Sequence, residues 1–321
     1  MIRRSAPGKL FIAGEYAVME PGHPAILIAV DRRVTVTVSE SRGETPGSPH
    51  VESAVAVARE LLAARGAEVP PFQVTVESDL HHHGTKLGLG SSGAVTVATV
   101  AAVAAYAGIE LTRSEQFRLA LLATARIDAR ASGGDLAASI WGGWIAYRAP
   151  DRTAVLALAE HQGIEAMLRA PWPDHAVRPL PPPRGLTLAV GWTSEPAGTP
   201  ALTGRPQDFL ARSDDCVRAA IRALDRGSDG DVMEQIRAAR LVLAELDEHA
   251  RLGIFTDRLT ALCEIAEAAG AAAKPSGAGG GDCGIALLDA AAPREQLYAG
   301  WTAAGVRPLS IRVEPTNGSA P

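Results

Sequence analysis

Lysine is almost missing from this chain. Of its 31 basic residues only three, Lys9, Lys86 and Lys274, are lysine, and the rest are arginine. Aromatic residues make up 4% of the 321 positions, so no stacking platform for bases is apparent. The formal net charge is −5, which gives no reason to expect a nucleic-acid or membrane partner. The cysteines Cys216, Cys263 and Cys283 are odd in number and widely spaced, with no C-x-x-C pair. That excludes a zinc ribbon, argues against a disulfide framework and fits a reducing compartment. The apolar run near the start is broken by Lys9 and Glu15. It reads as neither signal peptide nor membrane span, and the expected location is cytoplasmic. The P-loop pattern G-x-x-x-x-G-K-[ST] occurs nowhere.

What is present is glycine beside lysine. Each lysine lies in or beside a glycine-rich turn: Pro7-Gly8-Lys9-Leu10, Gly84-Thr85-Lys86-Leu87-Gly88 and Lys274-Pro275-Ser276-Gly277. Arginine serves as surface charge as well as lysine does. The two differ where a site needs a compact ammonium on a flexible stem. Lysine kept only beside backbone that can wrap phosphates hints at phosphoryl chemistry.

The length allows two domains. Strands are expected over Leu10–Ala13, which is short and apolar, over Ala25–Val38, which contains the alternation Val34-Thr35-Val36-Thr37-Val38, and over Phe72–Glu77, which alternates again. Helices are expected over 51–65, Ala94–Tyr106 and Ser114–Ala125, with Ser114 a plausible cap ahead of the last. Prolines crowd from Ala170 to Pro183, which reads as an inter-domain connection. The expected domains are 1–170 and 184–321. In the second, a strand over Leu186–Trp192 precedes three helices, and Cys283–Leu288 and Leu309–Val313 are strands. Lys274–Asp282 reads as a loop. Mixed strands and helices in each half indicate an α+β fold.

Gly88-Leu89-Gly90-Ser91-Ser92-Gly93 opens the Ala94 helix. Its bare N–H groups and the helix N-terminus form an anion cradle, with Ser91 and Ser92 offering hydroxyls and Lys86 just upstream. The same letters fit G-x-G-x-x-G, but His81-His82-His83-Gly84-Thr85-Lys86 cannot be the buried strand that a dinucleotide fold needs there. The three histidines read as solvated loop rather than metal ligands. Ser132-Gly133-Gly134-Asp135 leads into an apolar run; Asp135 is either a helix cap or a carboxylate at a phosphoryl-transfer centre. Gly277-Ala278-Gly279-Gly280-Gly281-Asp282 would leave a long bare backbone without a ligand.

These clusters, in this order, resemble the GHMP kinase superfamily, whose three signatures match Pro7–Tyr16, Lys86–Gly93 and Lys274–Asp282. Within it, Lys86–Gly93, the stretch from Gly191 to Thr199 and Ser276–Gly284 look like the phosphomevalonate kinase branch. The resemblance implies a two-domain fold: an N-terminal ATP-binding domain like a domain of a small-subunit ribosomal protein, with a left-handed crossover, and a ferredoxin-like C-terminal domain. The active site would lie in the cleft between them. Lys86, Gly88, Leu89, Gly90, Ser91, Ser92 and Gly93 would hold the ATP phosphates, with Ser92 near Mg2+. Lys9 and Asp135 would be catalytic. Ala13, Glu15, Tyr16, Ser132, Thr199 and Ala278 would line the acceptor site.

Two positions depart from relatives. Mevalonate kinases carry a magnesium-binding glutamate about eleven residues before the aspartate, where Thr124 stands here, which counts against mevalonate kinase. Asp128-Ala129-Arg130-Ala131 replaces a polar Gln/Asn-Gly pattern; Arg130 either pairs with the acceptor's phosphate or is surface. The implied activity is ATP-dependent phosphorylation of 5-phosphomevalonate, a small-molecule substrate, by a monomer or homodimer. The alternatives are a paralogous kinase acting on another acceptor such as mevalonate, and a diphosphomevalonate decarboxylase-like enzyme.

Overall fold

The computed structural model describes residues 1–41, 47–82, 84–195, 197–198 and 204–316. Its first half contains β1 (Ile2–Ala13), β2 (Pro24–Glu40), α1 (Pro49–Ala64), β3 (Phe72–Ser78) and a small hairpin, β4 (His81–His82) with β5 (Thr85–Lys86). Then come α2 (Ser91–Tyr106), α3 (Arg113–Ala125), α4 (Gly134–Trp141), β6 (Trp144–Arg148), α5 (Arg152–Gln162), α6 (Ile164–Arg169) and β7 (Ala176–Leu180). β2 is the spine of an antiparallel sheet. It pairs with β1 along one edge, and with β6 and then β3 along the other, while β7 extends the sheet beyond β6. The alternation Val34-Thr35-Val36-Thr37-Val38 buries its three valines in the core, as a half-buried strand should.

α2 is apolar around most of its circumference and is buried on most sides, from Gly93 to Ala104. That is the composition of a central helix. α3 starts at a capping box between Thr112 and Glu115, not at Ser114, because Glu115 stands at the position that closes the box onto Thr112.

The second half holds β8 (Leu186–Trp192), α7 (Phe209–Arg226), α8 (Asp229–Ala250), α9 (Asp257–Ala268), β9 (Ala272–Ser276), β10 (Cys283–Asp289), α10 (Glu295–Ala303) and β11 (Arg307–Leu309). The strands lie in the order β11-β8-β10-β9, all antiparallel. This βαββαβ succession with that order is the ferredoxin-like arrangement.

Three further expectations change. The proline-rich stretch 170–183 is not merely a connection: it carries β7, whose Pro179 is tolerated because the strand is at the sheet's edge and pairs only with β6. The loop expected from Lys274 is strand through Ser276, again an edge strand that accommodates Pro275. The last strand ends at Leu309, and Val313 instead bridges to Val30 in the first sheet. There the register of β1 and β2 steps from Pro7–Arg33 to Gly8–Val30. The end of the described chain fills the step: Asp31 N–H donates to the Arg312 carbonyl and Glu314 N–H to that of Ala29, each at 2.9 Å.

Candidate active site

Two helix starts meet in the first half. α2 and α4 each begin after a glycine in the left-handed region, Gly90 at φ 77° and Gly133 at φ 77°. A side chain at Gly90 would also strike the stem of Lys9: a Cβ there would lie 2.9 Å from Lys9 Cγ. Gly90 is therefore required twice, for its backbone and for its bareness. Lys9 itself is anchored by its N–H donating to the Leu89 carbonyl at 2.8 Å, and its ammonium stands 5.3 Å from the Phe11 ring centroid.

α4 is held at both ends. The buried Tyr147 hydroxyl donates to the Ser132 carbonyl at 2.5 Å, and the Ser139 hydroxyl donates to the Pro7 carbonyl at 2.7 Å. Burial keeps the Tyr147 phenol well above its ordinary range, so it stays a donor. These contacts fix Asp135, in the first turn of α4, against Gly93 of α2. Asp135 is not an N-cap; Gly133 is.

Lys9, Lys86, Gly88, Gly90, Ser91, Ser92, Ser132 and Asp135 face one cleft of about 360 Å³, together with Glu15, Tyr16, Ser276, Gly277, Ala278 and Asp282. The first turn of α2 contains no acidic residue, so its free N–H groups and positive end are open to an anion.

Not every expected residue faces the cleft. Leu89 and Gly93 lie buried beneath it; Leu89 acts through its carbonyl and Gly93 through its lack of a side chain. Ala13 is 1% exposed, paired with Ile26 in the sheet, and does not line the cleft. Thr199 lies outside the described residues, although Ala197 and Gly198 reach the cleft wall. Lys274 faces no phosphate site: it is fully buried and ion-paired with Glu15. His81 and His82 form no metal site with other residues among those described. His82 instead packs edge-on to Trp192, ring centroids 5.9 Å apart, and meets Arg307 at 2.5 Å, linking the two halves.

Asp282 was not singled out from sequence, although it stands at the end of the third glycine run. It lies at φ 52°, a strained conformation for a non-glycine residue. Its side chain packs over the bare Gly88, where a Cβ would be 2.4 Å from Asp282 Cβ. Its Oδ1 accepts from Ala197 N–H at 3.3 Å. Burial raises its carboxyl above the ordinary range, partly opposed by the Ala197 N–H and by the charges of Lys9 and Lys86. The Cys283 thiol donates to the Leu87 carbonyl at 3.0 Å. The second and third glycine loops are thus joined face to face. Tyr16, at φ 61°, donates its hydroxyl to the Ala278 carbonyl and so joins the first loop to the third.

Arg130 also lines the cleft, two-thirds exposed, with Nε 3.1 Å from Asp128 Oδ1. Thr124 is buried, and its hydroxyl has no partner among the described residues.

The hydroxyls of Ser91 and Ser92 and the carboxylates of Asp135 and Asp282 are hard oxygen donors on this cleft, as are those of Ser132, Ser276, Glu15 and Asp128. Among the described residues no three carboxylates, histidines or cysteines gather into a cage, and a few separate oxygen donors suit Mg2+, which keeps waters and phosphate oxygens as most of its ligands.

Comparison with known proteins agrees with this geometry. Residues 52–143 match the GHMP kinases N terminal domain, and residues 220–307 match GHMP kinases C terminal. A phosphomevalonate kinase of Streptomyces sp. (strain CL190) is 51% identical, over 97% of this chain and 96% of that protein. A mevalonate kinase of Aeropyrum pernix is 30% identical, over 89% of this chain and 88% of its own length. The structure of Streptococcus pneumoniae phosphomevalonate kinase in complex with phosphomevalonate and AMPPNP superposes with a TM-score of 0.91. It is 29% identical and covers 98% of this chain and 100% of that one. With both halves matched and three glycine-rich loops around one cleft, the chain belongs to the GHMP kinase family.

Proposed function

We propose that this protein transfers the γ-phosphoryl group of ATP to the phosphate of (R)-5-phosphomevalonate, giving (R)-5-diphosphomevalonate and ADP. The observation that carries the reading is the convergence of Lys9 and Asp135 on the first turn of α2. The half-identity to the Streptomyces phosphomevalonate kinase supports the choice of acceptor, and Thr124 removes the carboxylate that mevalonate kinases place there.

The chemistry is an in-line displacement. An oxygen of the acceptor's phosphate forms the new P–O bond as the bond to the ADP oxygen breaks. The acceptor's second pKa is about 6, so near neutral pH it is already largely ionised. Asp135 therefore orients the acceptor rather than deprotonating it. Lys9, held by Leu89 and Gly90, lies between the second and third loops and bridges donor and acceptor oxygens. The loop N–H groups from Gly88 to Gly93 and the positive end of α2 hold the phosphate chain. Mg2+, with Ser92 as a protein ligand, would neutralise charge on the phosphates. Arg130 faces the acceptor's phosphate.

The assignment of an ATP-binding domain to residues 1–170 and a second domain to 184–321 belongs to this reading, with β7 and the final segment joining the first. A cytoplasmic location fits the unpaired thiols of Cys216, Cys263 and Cys283. The test is an ADP-release assay with mevalonate, 5-phosphomevalonate, 5-diphosphomevalonate, homoserine and galactose. ADP release with 5-phosphomevalonate well above the other four upholds the reading; preference for another acceptor overturns it.

A further inference from the structure

Glu15 and Lys274 are 259 residues apart and form a buried pair, 3% and 0% exposed. Glu15 follows the first glycine loop, and Lys274 stands in β9, leading into the third. Lys274 also donates to the Pro275 carbonyl at 2.7 Å, which fixes its ammonium. Glu15 Oε1 accepts from Lys274 and lies 3.4 Å from Gly277 N–H. Its second oxygen, Oε2, is buried and has no hydrogen-bond partner among the described residues, although Glu15 borders the cleft. A buried carboxylate oxygen left unpaired is costly, so its retention calls for a function or for a partner from outside the chain.

We propose that Lys274 is a positioning residue: its buried ammonium holds Glu15 so that Oε2 accepts a hydrogen bond from a hydroxyl group of the acceptor. This rests on the acceptor site proposed above. The pair does not act alone in closing the first loop on the third. The Ser276 hydroxyl bonds both the N–H and the carbonyl of Phe11 at 2.9 Å, and Tyr16 reaches the Ala278 carbonyl. These contacts keep the cleft assembled when the pair is neutralised, so the role of Lys274 can be separated from folding.

The test compares K274M, E15Q and the double variant E15Q/K274M. It reads thermal midpoint, AMPPNP affinity, and KM for 5-phosphomevalonate in the ADP-release assay. K274M leaves a buried carboxylate unpaired and is expected to lower the midpoint; the double variant, with no buried charge, recovers it. The acceptor's KM is expected to rise about tenfold or more in every variant that folds, with AMPPNP affinity unchanged within about twofold. A folded variant with wild-type acceptor KM, or equal losses of acceptor and AMPPNP binding, overturns the proposal. If K274M does not fold, the double variant decides. Wild-type enzyme that ignores 5-phosphomevalonate would instead refute the proposed function. The same variants would then be read with whichever acceptor does release ADP.

Discussion

The α-carbon of Gly93 lies directly under the carboxylate of Asp135: a Cβ at Gly93 would fall 2.3 Å from Asp135 Oδ2. Gly93 is inside α2, where alanine would ordinarily help the helix by about 0.5–1 kcal/mol. The contact reverses its effect on function. G93A is expected to retain its fold, shown by circular dichroism, while turnover falls about 100-fold because Asp135 is displaced. Wild-type turnover in G93A would show that the position of Asp135 is not critical.

Lys9→Ala and Asp135→Ala are each expected to lose most turnover while thermal midpoints stay near wild type, since both side chains end in the cleft rather than in a core. Lys9→Arg should not restore activity. The stem is confined by Gly90, and a planar fork does not replace a compact ammonium. Steady-state kinetics on the three variants checks this, and near-normal turnover in any of them contradicts its assigned role.

Arg130→Ala is expected to raise the KM for 5-phosphomevalonate by about tenfold or more, the usual size for a charge-assisted hydrogen bond. The KM for ATP should stay within about twofold. A change confined to ATP would place Arg130 at the other end of the cleft.

Asp282 gives a pH signature. Its folded-state carboxyl titrates above the ordinary value because of burial, so the native state holds a proton that the unfolded state releases first. Stability therefore falls as pH rises from about 4 through the raised value. Asp282→Asn removes that loss and can keep the Ala197 N–H bond. Its midpoint, measured from pH 3.5 to 7, should gain on wild type as pH increases. Parallel curves would show that Asp282 carries no such penalty.

Much of this was legible in the chain. The glycine runs located the second and third loops, but Pro7-Gly8-Lys9, which reads as a turn, lies within β1 at a step in its register with β2. The apolar composition of Ala94–Tyr106 revealed a central helix. What stayed hidden depended on contacts between distant residues. Lys274-Pro275-Ser276 reads as loop, since lysine and proline both oppose a buried strand; the opposite charge of Glu15, from the other half, is what makes a buried lysine tolerable. The strand in the proline-rich stretch was missed for the same kind of reason, because an edge position is decided by topology and not by local pattern. Asp282 stood in plain view, but its importance arises from packing on Gly88, which no local pattern shows. The resemblance puts Ala13 in the acceptor site, but it is core, because it pairs with the fully buried Ile26 inside the sheet.

The most direct test of the central claim is phosphorus NMR of the products formed from ATP and (R)-5-phosphomevalonate. The account predicts ADP and a new diphosphate resonance pair in equal amounts, with the acceptor's monophosphate signal lost in step. Release of ADP with that monophosphate signal intact, or no reaction until mevalonate replaces it, would contradict the account.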